Sequence, residues 1–215
     1  DEFVADPADQ ASLQNGAKLY LNYCMGCHSL KYSRYNRVAD ALGIPADLME
    51  ANLIFDPSVK IGSLMDNAMD DRTAKVWFGA TPPDLTLVSR ARQPEWLYTY
   101  LRQFYRDTER PTGWNNVIFP NVGMPHVFWQ LQGEQAAKIT DNADGSKTIE
   151  LSLAKPGTLA PAEYDKAVAD LVSFLVWMGE PVAEKRKSIG TVVLIFLFPS
   201  VARTSVTQTS PSRSI

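Results

Sequence analysis

The chain has 215 residues, enough for one sizeable domain or a small domain with insertions. Its apolar fraction of 45% is that of an ordinary globular protein, and a formal net charge of -3 excludes the basic excess expected of a nucleic-acid binder. The charge is unevenly spread: from residue 185 onward there are five basic side chains (Lys185, Arg186, Lys187, Arg203, Arg213) and no acidic ones, which leaves 16 basic against 24 acidic in residues 1–184. An acidic body of this kind suits a basic partner. Fourteen Pro and twelve Gly point to many loops.

Residues 1–11 are acidic and polar and read as an extended arm, whose Asp1-Glu2-Phe3 start is what cleavage of a leader would expose. Ser12 is placed to cap a helix from about Leu13 to Tyr23. Gly16, Tyr20 and Cys24 fall four apart on one face of it. A small residue, an aromatic and a cysteine in that order suit a helix crossed closely by another; the plainer reading is an amphipathic helix with an incidental glycine.

Cys24-Met25-Gly26-Cys27-His28 is a C-x-x-C-H motif, the attachment signature of a c-type haem. Two thiols three positions apart can each add to one vinyl group of the same porphyrin, and the next residue, His28, then lies beneath the iron. These are the two cysteines of the chain, and His28 is one of its two histidines. A zinc site needs about four ligands, and no second Cys/His pair exists. A dithiol redox motif has no need of the trailing histidine. Covalent haem is the reading that uses all three residues. Its attachment belongs outside the reducing cytosol, in a periplasmic or equivalent compartment.

After the motif, Arg34, Tyr35 and Arg37 belong either near the haem edge or on the surface. Pro45 opens a short helix, Ala46 to Asn52, with Leu48 and Met49 as core. Met65 and Met69, four apart, are read as packing rather than as a ligand pair. Trp77-Phe78-Gly79 is expected to line the pocket. Pro82-Pro83 makes a rigid turn, and Asp84 is placed to cap the short helix that follows, which ends near Arg90-Ala91-Arg92. Each arginine is either a bidentate partner for a haem propionate or a solvated surface charge. Pro94 then starts a helix over Glu95–Arg106, with an apolar stripe of Leu97, Tyr98, Leu101 and Tyr105.

Residues 108–125 read as loop, rich in Pro, Gly and Asn. Met124 lies in it between Gly123 and Pro125. A low-spin haem ligated by His28 needs a sixth ligand, and thioether sulfur is the common choice in cytochromes c. Met124 is the best placed of the six methionines, with His126 as its rival. Residues 138–153 read as a small β-hairpin insertion turning at Asp144-Gly145. Pro161 begins the last strong helix, to about Met178, whose apolar face (Val168, Leu171, Val172, Leu175, Trp177, Met178) is the natural partner of the Gly16/Tyr20 face. Gly179 and Pro181 end it.

Lys185-Arg186-Lys187 precedes an apolar run, Ile189–Phe198, half the length of the roughly 20 residues a bilayer span needs. From Pro199 the sequence turns hydroxyl-rich and irregular, of the kind a shifted reading frame produces. The expected organisation is a haem domain over 1–184, the start of a C-terminal membrane anchor over 185–198 and an irregular polar tail over 199–215.

The stretches 16–30, 42–50, 82–92, 123–133 and 172–181 together resemble the cytochrome c1 family, the haem subunit of the cytochrome bc1 complex, in its proteobacterial form. The C-x-x-C-H motif alone would identify only a c-type cytochrome. Pro-Pro-Asp-Leu and Gly-Met-Pro in this order are far more specific. The resemblance implies a mainly α fold, a class I cytochrome c core with loop insertions. It implies haem thioethers on Cys24 and Cys27, axial ligands His28 and Met124, and Arg92 paired with a propionate. The implied role is an electron-carrying subunit of a quinol–cytochrome c oxidoreductase in the respiratory chain, not a catalyst alone. Its partners would be cytochrome b, the Rieske iron–sulfur subunit that donates the electron, and the soluble cytochrome c that receives it. It would sit in the inner membrane by its C-terminal segment, with the haem domain in the periplasm. The alternatives are the cytochrome subunit of another membrane dehydrogenase, or a haem enzyme or sensor with an open sixth position.

Overall fold

The computed structural model describes the backbone of residues 1–207 and the side chains of residues 1–198 other than Glu184. Two compact units emerge, Asp1–Gly179 and Glu180–Ile215. In chain order the first unit holds α1 (Gln10–Tyr23), β1 (Leu30–Arg34), α2 (Tyr35–Leu42), α3 (Ala46–Leu53), β2 (Leu64–Met65), α4 (Asp71–Phe78), α5 (Val88–Ala91), α6 (Pro94–Arg102), β3 (Phe104–Arg106), β4 (Trp114–Asn116), α7 (Trp129–Gln132), β5 (Gly133–Asp141), β6 (Lys147–Pro156) and α8 (Pro161–Gly179). The second holds α9 (Ala183–Thr207). The fold is mainly helical. Its strands pair antiparallel as β1–β2, β3–β4 and β5–β6.

The core is the crossing of α1 and α8. Leu13, Ala17, Tyr20 and Leu21 are buried against Leu171, Val172, Phe174 and Leu175, each large side chain contributing about 1.5–3 kcal/mol by leaving water. A Cβ at Gly16 would run into the Asp170 carbonyl oxygen and Phe174 Cβ, so the helices touch backbone to backbone there. The Gly16 face is therefore a crossing face, not an incidental one. Asp170, 4% exposed, accepts from Ser12 Oγ at 2.7 Å, Asn15 Nδ2 at 2.8 Å and Lys166 Nζ at 3.0 Å, so its buried charge is fully partnered.

That contact decides how α1 begins. Ser12 does not cap α1; Asp9 does, accepting from Ser12 N at 3.1 Å, and the helix starts at Gln10. Both residues are good caps, and the Ser12 hydroxyl is drawn to Asp170 instead. The N-terminal arm is extended but tied down. Phe3 stacks on Tyr98 with centroids 4.7 Å apart, and Arg102 bridges Asp1 and Asp165, each at 2.6 Å.

Other expectations shift with tertiary context. Met49 is buried, but Leu48 is exposed at 52% because α3 turns only one narrow face inward. The helix from Pro94 stops at Arg102 rather than Arg106. Phe104-Tyr105-Arg106 pair with Trp114–Asn116, which lie inside the stretch expected to be loop, and Phe104 and Tyr105 are buried as strand residues. The hairpin is longer than 138–153, running Gly133–Asp141 and Lys147–Pro156. Its ends alternate too weakly in polarity to read as strand. Met65 and Met69 do not share a helix: Met65 is buried in β2 and Met69 lies half-buried before α4.

In the second unit, α9 stays helical through Pro199 to Thr207, where the sequence suggests an irregular tail; residues 208–215 lie outside those described. Ile189 and Val192 to Phe198 are all exposed on it. No helix of the described residues is long and apolar enough to cross a membrane.

Candidate functional site

The last turn of α1 ends at Cys24. Cys27 N–H and His28 N–H both donate to the Cys24 carbonyl, at 3.0 and 2.8 Å, so the five-residue motif closes into one tight turn. Tyr20, wholly buried, donates its phenol to the His28 carbonyl at 2.6 Å and pins the turn to the helix below it. Neither cysteine is in a disulfide. Burial pushes the Cys24 thiol up to about 12, helped by the neighbouring Cys27, and raises Cys27 as well.

The segment Pro83–Leu85 is stitched to this turn. Leu85 N–H donates to the Ser29 carbonyl at 2.9 Å. Asp84 accepts from Ser29 Oγ at 2.9 Å, Lys31 N at 2.8 Å and Thr86 N at 3.0 Å. Burial raises the Asp84 carboxyl, but these hydrogen bonds outweigh it and the net shift is downward. Asp84 thus does not cap α5, whose N-cap is Leu87 with no side-chain bond; its carboxylate is committed to the strand after the motif. His28 Nδ1 lies 2.7 Å from the Pro83 carbonyl. A carbonyl can only accept, so Nδ1 carries the proton and the Nε2 lone pair is left for a metal. Burial lowers the His28 pKa, against the opposing pull of that carbonyl and of Asp84, which favours the neutral, ligating form.

These groups form one side of a cleft of about 400 Å³. Cys24, Cys27 and His28 line it from the motif, Pro82, Pro83 and Leu85 from the loop, Leu97, Tyr100 and Leu101 from α6, and Leu171 and Leu175 from α8. Gly123, Met124 and Pro125 line it from the 108–125 segment. A Cβ at Gly123 would collide with the Phe78 carbonyl oxygen, so a glycine there lets the Met124 loop close against the end of α4. Tyr100 Oη lies 3.4 Å from Met124 Sδ. The cleft is mainly apolar and carries a nitrogen donor, two cysteine sulfurs and a thioether in its walls, which fits the donor set of a covalently held haem.

The rival, His126, is not in the lining. It is 2% exposed, stacked on Phe104 with centroids 5.1 Å apart and edge-on to Trp114 at 5.0 Å. Burial pushes its pKa down to about 4. Arg92 does line the cleft, its guanidinium 4.8 Å from the Trp96 ring. Arg90 instead donates to the Gly179 carbonyl at 3.2 Å. Arg34, Tyr35 and Arg37 are not in the lining, nor are Met65 and Met69. Of Trp77-Phe78-Gly79, only Phe78 lines it; Trp77 is 63% exposed because α4 turns its Ala74 side inward.

The Met124 loop is shaped by residues that no motif marks. Asn116, fully buried, accepts from Ile118 N and Phe119 N and donates to the Tyr100 carbonyl. Asn115 accepts from Asn121 N, and Asn121 sits at φ +63, which asparagine tolerates better than most residues. The Asn115-Asn116 pair amid Pro and Gly was the available signal, since asparagine side chains imitate backbone in turns.

Similarity to known proteins shows the family. Cytochrome c1 of Allochromatium vinosum is 52% identical over 195 residues, covering 89% of this chain and 80% of its own length. A Nitrosomonas europaea protein named ammonia monooxygenase gamma subunit is 46% identical over 198 residues, covering 92% of this chain and 81% of its own. Cytochrome c1 of Rhodospirillum rubrum is 28% identical over 215 residues, covering 88% and 76%. A model of the Cytochrome C1 family matches residues 2–211. The chain belongs to the cytochrome c1 family, whose members carry covalently bound haem c and act as the electron-transferring haem subunit of the cytochrome bc1 complex.

Proposed function

We propose that the cleft would hold one haem c, attached through Cys24 and Cys27, with His28 Nε2 and Met124 Sδ as the atoms that would ligate its iron and Arg92 as the partner of a propionate. The observation that carries this reading is the meeting, in one apolar cleft, of the motif turn and the Gly123-Met124-Pro125 loop. When bound, the haem supplies a one-electron Fe(III)/Fe(II) couple. The protein does the rest. Pro83 holds the His28 proton on Nδ1, Tyr20 fixes the turn, and Leu97, Leu101, Leu171 and Leu175 exclude water from the cofactor face.

The electron comes from the Rieske iron–sulfur subunit, beside cytochrome b, and leaves to a soluble cytochrome c. The acidic excess of residues 1–184 suits a basic carrier. The haem unit faces the periplasm. Residues 185–198 associate with the inner membrane, the basic triplet at the lipid headgroups and the exposed apolar run of α9 against lipid or a partner's helices. An optical spectrum of the purified chain tests the cofactor assignment. The reduced protein should show the sharp α band of a low-spin haem c, and the haem should stay with the polypeptide in acidic organic solvent. In a C24A/C27A double variant it should extract freely. Free extraction from the unaltered chain would contradict covalent attachment.

A further inference from the structure

We propose that Tyr100 is a positioning residue that sets the reduction potential of this protein by hydrogen bonding to its methionine ligand, an inference that rests on Met124 ligating the iron. The Tyr100 hydroxyl lies 3.4 Å from Met124 Sδ, and that sulfur is the one acceptor it has among the described residues. A thioether sulfur has two lone pairs. One serves the iron, and the other accepts the phenol proton. Sulfur that shares its second pair is a poorer donor to iron. Ferric iron needs that donation more than ferrous iron does, so the hydrogen bond favours the reduced state and raises the potential.

The phenol is held in place from several sides. Its ring stacks on Trp96 with centroids 4.9 Å apart and 10° between planes, and meets Phe104 edge-on at 5.1 Å and Phe119 at 6.5 Å. Its backbone carbonyl accepts from Asn116 Nδ2 at 2.8 Å. Asn116 also shapes the chain leading to Met124, by accepting from Ile118 N and Phe119 N. One buried asparagine thus ties the donor's backbone to the acceptor's loop. Trp96 in turn lies under the Arg92 guanidinium.

The test is a redox titration and far-red absorption spectrum of the haem-loaded chain with Tyr100→Phe, and with 3-fluorotyrosine placed at position 100 by codon suppression. Tyr100→Phe keeps the ring packing and removes the donor; fluorination strengthens the donor. The midpoint should shift down in the first and up in the second, with the thioether-to-iron charge-transfer band of the oxidised protein retained in both. A Tyr98→Phe control should leave the midpoint in place. A packing role would move both position-100 variants the same way, and that result, or no shift in either, overturns the proposal. If Tyr100→Phe fails to load haem, the fluorotyrosine protein decides alone: an upward shift supports the hydrogen bond and no shift removes it. Absence of the charge-transfer band from the unaltered protein would instead overturn methionine ligation.

Discussion

At the scale of single residues, one glycine does work that no residue with a side chain can. Gly123 lets the Met124 loop lie against the Phe78 carbonyl. Gly123→Ala must push loop and α4 apart, at a cost of about 1–3 kcal/mol. The sharper signature is expected in the ligand: partial loss of the thioether charge-transfer band at a temperature where the helical circular dichroism is intact. Asp84 is the second residue to single out. Its carboxylate gathers Ser29, Lys31 and Thr86, which keeps the Pro83 carbonyl against His28. Asp84→Ala leaves three donors to water or to nothing and should lower stability by about 1–3 kcal/mol, read as a fall in thermal midpoint. Met124→Ala, by contrast, should barely change the fold but open the iron to exogenous ligands.

Among the elements, the α1–α8 crossing is the keystone, and Gly16 is its contact point. Gly16→Ala sets a methyl group against the Asp170 carbonyl and Phe174 and should cost about 1–3 kcal/mol, measured by denaturant unfolding; an unchanged unfolding midpoint would mean that the helices can separate freely. This crossing was legible in the sequence because Gly16, Tyr20 and Cys24 repeat at helical spacing and α8 offers a continuous apolar face. The Cys24–His28 turn and Met124 were legible as well, one from a motif and the other from its Gly and Pro brackets, and the fold gathers them in one cleft. What was hidden depended on distant partners. Ser12 and Asp9 are equally good caps until Asp170 is known to face Ser12. Asp84 reads as a local cap until the strand after the haem motif takes its oxygens. The end of α6 at Arg102 is set by β4, a dozen residues away, and not by any local breaker. Asn115 and Asn116 are ordinary loop residues until their bonds to Tyr100, Asn121 and Phe119 are seen.

For the whole molecule, charge and cofactor make separate claims. The acidic excess of residues 1–184 should speed encounter with a basic carrier cytochrome. Raising ionic strength from 0.1 to 1 M shortens the screening length from about 10 to about 3 Å, so the second-order rate of electron transfer should fall roughly tenfold or more, by stopped flow. A rate indifferent to salt would mean that steering plays no part. The cleft, for its part, should hold one haem between His28 and Met124. Adding carbon monoxide to the reduced protein tests it most directly. With both axial positions filled by protein, the Soret band should stay unchanged, while the Met124→Ala protein forms the adduct at once. Ready formation of a carbon monoxide adduct by the unaltered protein would contradict the account.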